Sequence, residues 1–178
     1  MSDTQDVLKA RPKGCFIERR GIRCAGVHLL IDLHEAERID DLRHVEATLI
    51  QCAEAARASI LHAHLHRFTP TGGISGVLVL AESHISIHTW PEHRYAALDI
   101  FLCGKTRPMA AVDVLREAFH AERVVVEEHL RGSDPISRDL TIQQVRSIRS
   151  GKSPKEMRNG RPEPHARGVR KMDSGSLG

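Results

Sequence analysis

The sequence predicts an α+β fold, a two-layer sandwich in which an antiparallel sheet carries two helices on one face. Several segments alternate apolar and polar residues and follow one another across short turns, which is typical of antiparallel strands. Two other segments repeat their apolar residues every three or four positions, which indicates helices. With 178 residues and an apolar fraction of 40%, the chain suits one globular domain with its own core.

The predicted elements occur in the order β-α-β-β-β-β-α-β. The strands are expected at residues 27–33, 59–68, 74–81, 84–89, 95–102 and 123–130. The helices are expected at 40–58 and 108–121. The first helix begins near an aspartate and the second near a proline, as helices often do. The loop 69–73, rich in Thr, Pro and Gly, separates the second strand from the third.

The two ends of the chain differ in composition from the middle. Residues 133–178 hold ten Lys or Arg and five Asp or Glu, with few large apolar side chains. Such a segment cannot bury enough surface to fold alone. We therefore expect a flexible arm at 1–23, a domain at 24–132 and a basic, mostly disordered tail at 133–178. A short helix over about 137–149 is the one element predicted in the tail.

Composition also bears on location and metals. No apolar stretch is long enough to cross a membrane, and the acidic N-terminus does not resemble a signal peptide. The four cysteines form no Cys-x-x-Cys pair, so we expect free thiols in a reducing cytoplasm. The three histidines His62, His64 and His66 lie on one face of a strand but span about 13 Å. We therefore predict no metal site.

The segment 82–92 concentrates hydroxyl, imidazole and carboxylate groups directly after an apolar strand. A serine hydroxyl there, such as that of Ser83, can attack the preceding carbonyl carbon if a base takes its proton. The resulting ester can then break by elimination and leave a carbonyl group at the new N-terminus. From composition alone, an ordinary strand and turn is the simpler interpretation.

The run Ala81-Glu82-Ser83-His84-Ile85-Ser86-Ile87-His88-Thr89-Trp90-Pro91-Glu92 resembles the processing site of bacterial S-adenosylmethionine decarboxylase proenzymes. Its flanks at 66–70, 73–76, 95–104 and 127–132 resemble other segments of that family. The resemblance covers about residues 24–132. It implies a pyruvoyl-dependent lyase that decarboxylates S-adenosyl-L-methionine, whose product donates aminopropyl groups for spermidine synthesis.

The resemblance implies self-cleavage between Glu82 and Ser83, giving a β chain (1–82) and an α chain (83–178). Ser83 would become the pyruvoyl group that forms a Schiff base with the substrate, without pyridoxal phosphate or a metal. His88 would assist processing, supported by Ser75. Cys103 would be the proton donor in the decarboxylation.

For the substrate, the resemblance implies that Phe68 stacks on the adenine and that Glu92 binds the ribose hydroxyls. We expect Trp90 to pack rather than bind. On a straight strand Ser75 lies about 26 Å from Ser83. Ser83 and His88 are separated by an odd number of residues, which puts them on opposite faces. We therefore predict a dimer with shared sites. Each site combines Ser83 and Cys103 of one subunit with four residues of its partner, namely Phe68, Ser75, His88 and Glu92.

Two alternatives remain open. A homologue with the same pyruvoyl chemistry could act on ornithine or arginine instead. Phe68 and Glu92 favour the nucleoside substrate over these amino acids. A non-enzymatic module that binds nucleic acid through its basic tail rests on the tail alone. We expect no membrane partner.

Overall fold

A computed structural model describes residues 16–133 and 144–149. The strands are β1 (Ile17–Arg19), β2 (Ile22–Cys24), β3 (Gly26–His34), β4 (Ile60–Arg67), β5 (Ile74–Leu80), β6 (Ser83–Trp90), β7 (Tyr95–Cys103), β8 (Arg123–Arg131) and β9 (Gln144–Arg149). The helices are α1 (Leu42–Ala55) and α2 (Met109–Ala118), and a 3-10 turn covers Pro91–His93.

Seven of these strands form one sheet in the order β4-β5-β6-β7-β3-β8-β9. Every neighbouring pair in it is antiparallel. The central strand β3 alternates buried and less buried side chains, as expected for a strand with one face on a core. The helices pack against each other, and α1 also contacts β4 and β5. The predicted two-layer α+β sandwich is therefore confirmed.

Both helices bury an apolar stripe against the same face of the sheet. In α1 the buried residues include Val45, Leu49 and Cys52, at the spacing that predicted the helix. The side chain of Asp41 caps its first turn by accepting a hydrogen bond from the backbone N–H of His44 at 3.1 Å. Because the cap lies at Asp41, the helix begins two residues later than we expected.

The structure differs from the expected flexible arm, because residues 17–24 form the hairpin β1–β2. Its turn uses Arg20 and Gly21, both with positive φ. Arg19 and Arg20 approach the carboxylate of Glu128 at 3.6 and 3.4 Å. Glu128 is only 7% exposed and lies on the core side of β8. The hairpin thus supplies cations to a buried carboxylate, which needs such partners.

The predicted helix over 137–149 is wrong for residues 144–149, which form β9 along β8. Strand β8 presents an edge of unpaired backbone groups, and β9 satisfies them. That long-range contact outweighs local helical preference. Residues 1–15, 134–143 and 150–178, where the rest of the predicted arm and tail fall, lie outside the described residues.

The sheet face opposite the helices carries mostly polar and aromatic side chains. Within the described residues no helix covers this surface, which we call the open face. Its side chains include His28, Asp32, Val79, His84, Ser86, His88, Trp90, Tyr95, Asp99, Phe101, Cys103 and His129. Val79 is 41% and Trp90 40% exposed. The candidate catalytic side chains lie on or beside this face.

Candidate active site

The bond between Glu82 and Ser83 lies at the end of a tight hairpin turn. Leu80 of β5 pairs with Ser83 of β6, so only Ala81 and Glu82 join the two strands. The backbone N–H of Cys103, at the end of β7, donates a hydrogen bond of 3.1 Å to the carbonyl oxygen of Glu82. This donor polarises the very carbonyl group that the Ser83 hydroxyl would attack.

The carboxylate of Glu82 fixes the other side of the turn. Its Oε2 accepts a hydrogen bond of 2.8 Å from the backbone N–H of Ser59, and Oε1 accepts one of 3.4 Å from the Ser59 hydroxyl. The carbonyl oxygen of Ser59 accepts a further bond of 2.9 Å from Ala81. The turn is thus held between the start of β4 and the end of β7.

Ser83 itself has an unusual backbone. Its φ of 149° lies in a region that L-residues other than glycine rarely adopt. Such conformations cost about 1–3 kcal/mol and persist where the surrounding structure enforces them, often at reactive sites. The Ser83 hydroxyl lies 3.3 Å from Nδ1 of His84. The strain and the neighbouring imidazole therefore coincide at one residue.

Cys103 carries a half-buried thiol at the end of β7. It pairs with Gly26 of β3, and Leu102 pairs with Ser83. Cys103 and Ser83 are therefore neighbours across adjacent strands. The structure brings together Glu82, Ser83 and Cys103 of the predicted site, and we call this group the cleavage cluster.

The other predicted residues gather at the opposite end of β6. Ser75 of β5 pairs with His88 of β6, and their side chains share a hydrogen bond of 2.6 Å between Oγ and Nδ1. A cavity of about 220 Å³ opens beside them. Its lining consists of Phe68, Thr71, Gly73, Ile74, Ser75, His88, Thr89, Trp90 and Glu92. We call this group the pocket cluster.

Aromatic side chains shape the cavity. Phe68 is 47% exposed and contacts the ring of His66 edge-on at 4.7 Å. Trp90 stacks on Tyr95 at 5.4 Å and lies 6.3 Å from the ring of His88. Trp90 thus packs, as expected, but it also lines the cavity. Glu92 is exposed on the 3-10 turn beside it.

The loop before β5 needs both of its glycines. Gly72 has a φ of +75°, and a Cβ on Gly73 would lie 2.8 Å from the backbone oxygen of Thr89. The buried hydroxyl of Thr89 accepts a hydrogen bond of 2.8 Å from the backbone N–H of Ile74. These close contacts hold Phe68 and Ser75 on either side of the cavity.

A polar network lies on the open face near the cleavage cluster. Nε2 of His28 lies 3.1 Å from Asp99, and Nη1 of Arg131 lies 3.0 Å from Nδ1 of His28. Ser86 donates to the other oxygen of Asp99 at 3.2 Å. Burial lowers the pKa of His28 despite the carboxylate of Asp99. The lowered pKa favours the neutral imidazole of His28, which links Arg131 to Asp99.

The family model for S-adenosylmethionine decarboxylase matches residues 27–132. That range spans the sheet from β3 to β8, both helices and all residues of the two clusters. The chain belongs to the S-adenosylmethionine decarboxylase family. Our expectation of an enzyme of this family is thereby confirmed.

Individual relatives agree with the family model. The chain is 40% identical to a Thermomicrobium roseum protein named S-adenosylmethionine decarboxylase proenzyme, over 62% of this chain and 97% of the relative. A protein of the same name from Thermodesulfovibrio yellowstonii is 44% identical, over 60% of this chain and 81% of the relative. A crystal structure of the adenosylmethionine decarboxylase from Aquifex aeolicus VF5 superposes with a TM-score of 0.55 and 32% identity. It covers 61% of this chain and 92% of that one.

Two features of the site could not be predicted from the sequence. The contact between Ser59 and Glu82 joins residues 23 positions apart, and no motif marks Ser59. The proximity of His84 to the Ser83 hydroxyl depends on the distorted backbone at Ser83. Within the described residues, no group of three or more His, Cys, Asp or Glu is arranged to hold a metal ion. None of the described helices is long and apolar enough to cross a membrane.

Proposed function

We propose that this chain cleaves itself between Glu82 and Ser83 and then decarboxylates S-adenosyl-L-methionine with the pyruvoyl group derived from Ser83. The observation that carries the proposal is the hydrogen bond from the Cys103 backbone N–H to the Glu82 carbonyl oxygen, beside the Ser83 hydroxyl. A donor aimed at this oxygen stabilises the oxyanion that forms when the hydroxyl attacks.

Three further observations support self-cleavage. The strained φ of Ser83 raises the energy of the uncut chain by about 1–3 kcal/mol. Glu82 is fixed through Ser59, which keeps the scissile carbonyl in one orientation. The turn is only two residues long, so cleavage leaves the pairing of β5 with β6 intact. The residues present therefore fit a pyruvoyl group at position 83.

When formed, the pyruvoyl group supplies a carbonyl that takes the substrate amine and accepts the electrons released with carbon dioxide. Proton transfer and substrate binding are assigned to the chain's own residues. The Cys103 thiol, beside position 83, returns a proton to the substrate's α-carbon. Phe68 offers an exposed ring for adenine, and Glu92 offers carboxylate oxygens for the ribose hydroxyls.

The separation of the two clusters supports a shared site. Ser83 and His88 lie about 17 Å apart along β6, and Ser75 is held by His88 at the far end. One chain therefore does not bring them together. Two copies that stack their open faces around a two-fold axis would place the pocket cluster of each against the cleavage cluster of the other. Such packing would also cover the exposed side chains of Val79 and Trp90.

The test is intact-mass analysis of purified protein after incubation with S-adenosyl-L-methionine and a reductant that traps carbonyl–amine adducts. We expect two chains that separate between residues 82 and 83, with the nucleoside trapped on the larger one. The Ser83→Ala variant serves as the control and should stay uncut, since it has no attacking hydroxyl.

The other outcomes assign a different function. Two chains that trap ornithine or arginine and not the nucleoside would identify a basic amino acid decarboxylase. A chain that stays uncut under conditions that permit processing would remove the pyruvoyl chemistry altogether.

A further inference from the structure

The imidazole of His84 lies next to the atom that starts cleavage. Its Nδ1 is 3.3 Å from the Ser83 hydroxyl oxygen. A serine hydroxyl is a weak nucleophile until a base takes its proton, and an imidazole is the side chain that most often does so. We propose that His84 is the general base that starts self-cleavage. The inference rests on the proposed function and assigns a residue to its first step.

Neighbouring side chains fix the ring of His84 in this position. Edge-on contacts hold it against the ring of His28, 6.4 Å away, and that of Phe101, 6.1 Å away. Phe101 is itself held between His28 at 5.4 Å and the guanidinium of Arg131 at 5.7 Å. A base needs such a fixed orientation, because proton transfer depends on geometry first.

His88 does not fill this role from within the same chain. It lies about 17 Å along β6 and its Nδ1 is occupied by the hydroxyl of Ser75. In the proposed dimer, His88 arrives from the second copy and acts on the ester that the first step has made. The two histidines thus serve two successive steps, and each step has its own product.

The step balances without any added reagent. The proton of the Ser83 hydroxyl passes to Nδ1 of His84, which requires the tautomer with hydrogen on Nε2. The oxygen bonds to the Glu82 carbonyl carbon, and the oxyanion accepts the hydrogen bond from the Cys103 N–H. The carbon–nitrogen bond then breaks as the proton moves from His84 to the Ser83 nitrogen. The product is an ester between Glu82 and the Ser83 oxygen, with a free amine.

The experiment follows cleavage of the full-length chain on denaturing gels over time. His84→Ala and His84→Asn should slow cleavage by about 100-fold or more, the usual contribution of a general base. Added imidazole should accelerate His84→Ala, because it restores a base in the vacated space. His64→Ala is the matched control, since His64 is exposed on the distant strand β4 and should leave the rate unchanged.

Hydroxylamine identifies the step that is blocked, because it cleaves esters and spares amides. His84→Ala should stay an amide and resist hydroxylamine, whereas His88→Ala should accumulate the ester and be cut. Thermal unfolding of Ser83→Ala with and without His84→Ala measures any loss of folding separately. His84→Asn keeps a polar side chain of similar reach and tests the base if the alanine variant folds poorly.

Wild-type cleavage rates in both His84 variants would overturn the assignment. An ester in His84→Ala would do so as well, because the first step would then have occurred without the imidazole. If His84→Ala is cleaved slowly and added imidazole does not accelerate it, His84 serves only in packing and the assignment as a base is rejected. If the wild-type chain itself stays uncut, the proposed function fails and the assignment fails with it, whereas a cut wild type with normal variants rejects the assignment alone.

Discussion

Ser83 combines a reactive hydroxyl with a backbone conformation that suits glycine better than serine. The two properties can be separated, because glycine removes the strain and alanine keeps it, while neither can form the ester. At this residue the fold stores energy in the same peptide that is expected to break. Stability measurements can therefore detect the strain in chains that remain whole.

We expect Ser83→Gly to be more stable to unfolding than Ser83→Ala by about 1 kcal/mol, because glycine adopts a φ of 149° without cost. Urea denaturation of both uncut variants measures the difference. Glycine and alanine at Ser86 of β6, each made in the uncut Ser83→Ala background, are the control, and there glycine should give the less stable variant. Equal stability of the two Ser83 variants would show that no strain is stored at this residue.

The neutral imidazole of His28 makes stability depend on pH. Its pKa lies below the ordinary value in the folded chain, mainly because of burial. The unfolded chain therefore binds the extra proton more readily, and stability falls as the pH drops below about 6.5. The contribution is fully present above that pH and is lost as the pH passes through the lowered pKa.

We expect the free energy of unfolding of uncut Ser83→Ala to rise between pH 5 and pH 7, as urea denaturation at each pH would measure. Replacing His28 by Gln in the same background should flatten part of that rise, since glutamine does not titrate. His64→Gln, at an exposed site, is the control. An unchanged pH profile in the His28 variant would mean that another group is responsible.

At the scale of the element, β7 sets the position of the donor that faces Glu82. Its end is held close to β3 because Gly26, opposite Cys103, has no side chain. A Cβ at Gly26 would lie 2.6 Å from the backbone oxygen of Leu102 and 3.0 Å from the ring of Phe101. Backbone atoms cannot give way locally as a flexible side chain can, so the strands themselves would have to move.

Gly26→Ala should destabilise uncut Ser83→Ala by about 1–3 kcal/mol, the usual cost of overpacking. Thermal or urea unfolding measures it. Gly104→Asn is the control on the same strand end. A Cβ at Gly104 meets nothing within 4 Å, and asparagine tolerates its φ of +71°. If Gly26→Ala leaves the free energy of unfolding unchanged, β3 and β7 can move apart at little cost.

The elements that the sequence predicted correctly are those with a strong period. Strands β3, β6, β7 and β8 alternate because one face is buried, and both helices carry an apolar stripe. The hairpin β1–β2 has only three residues in each strand, too few for a period to be visible. Strand β9 depends on pairing with β8, which is a long-range contact without a local signal.

The site also has features that the sequence predicted and features that it could not predict. The hydroxyl and imidazole candidates within residues 82–92 stood out because a polar cluster follows an apolar strand, whereas Cys103 received its role from the resemblance to the family. The separation of Ser83 from His88 was expected from their spacing, but placing Ser75 and Ser83 on one straight strand was wrong, because a turn at Ala81 and Glu82 puts them on neighbouring antiparallel strands. The contacts of Glu82 with Ser59 and with the Cys103 N–H could not be predicted, since they join three strand ends across the sheet.

At the scale of the whole molecule, the shared site can be tested by mixing two inactive chains. We expect coexpressed Ser83→Ala and His88→Ala chains to recover activity and partial cleavage. In a mixed dimer, one site collects both defects and the other has neither. Decarboxylase activity and the cut fraction measure the recovery, with each variant alone as the control. Sites built within single chains would each keep one defect, and the mixture would stay inactive.

The tight turn between β5 and β6 has a consequence for refolding after the proposed cleavage. The cut assigns β3, β4 and β5 to one product and β6, β7, β8 and β9 to the other, and the two products interleave, because β3 lies between β7 and β8 in the sheet. The buried core draws residues from both products, so each depends on the other to cover its apolar surface. Before cleavage, the folding of each chain is a first-order process that precedes assembly of the proposed dimer. After cleavage, two separate polypeptides must first meet, so the recovery of unfolded enzyme becomes second-order and slows on dilution.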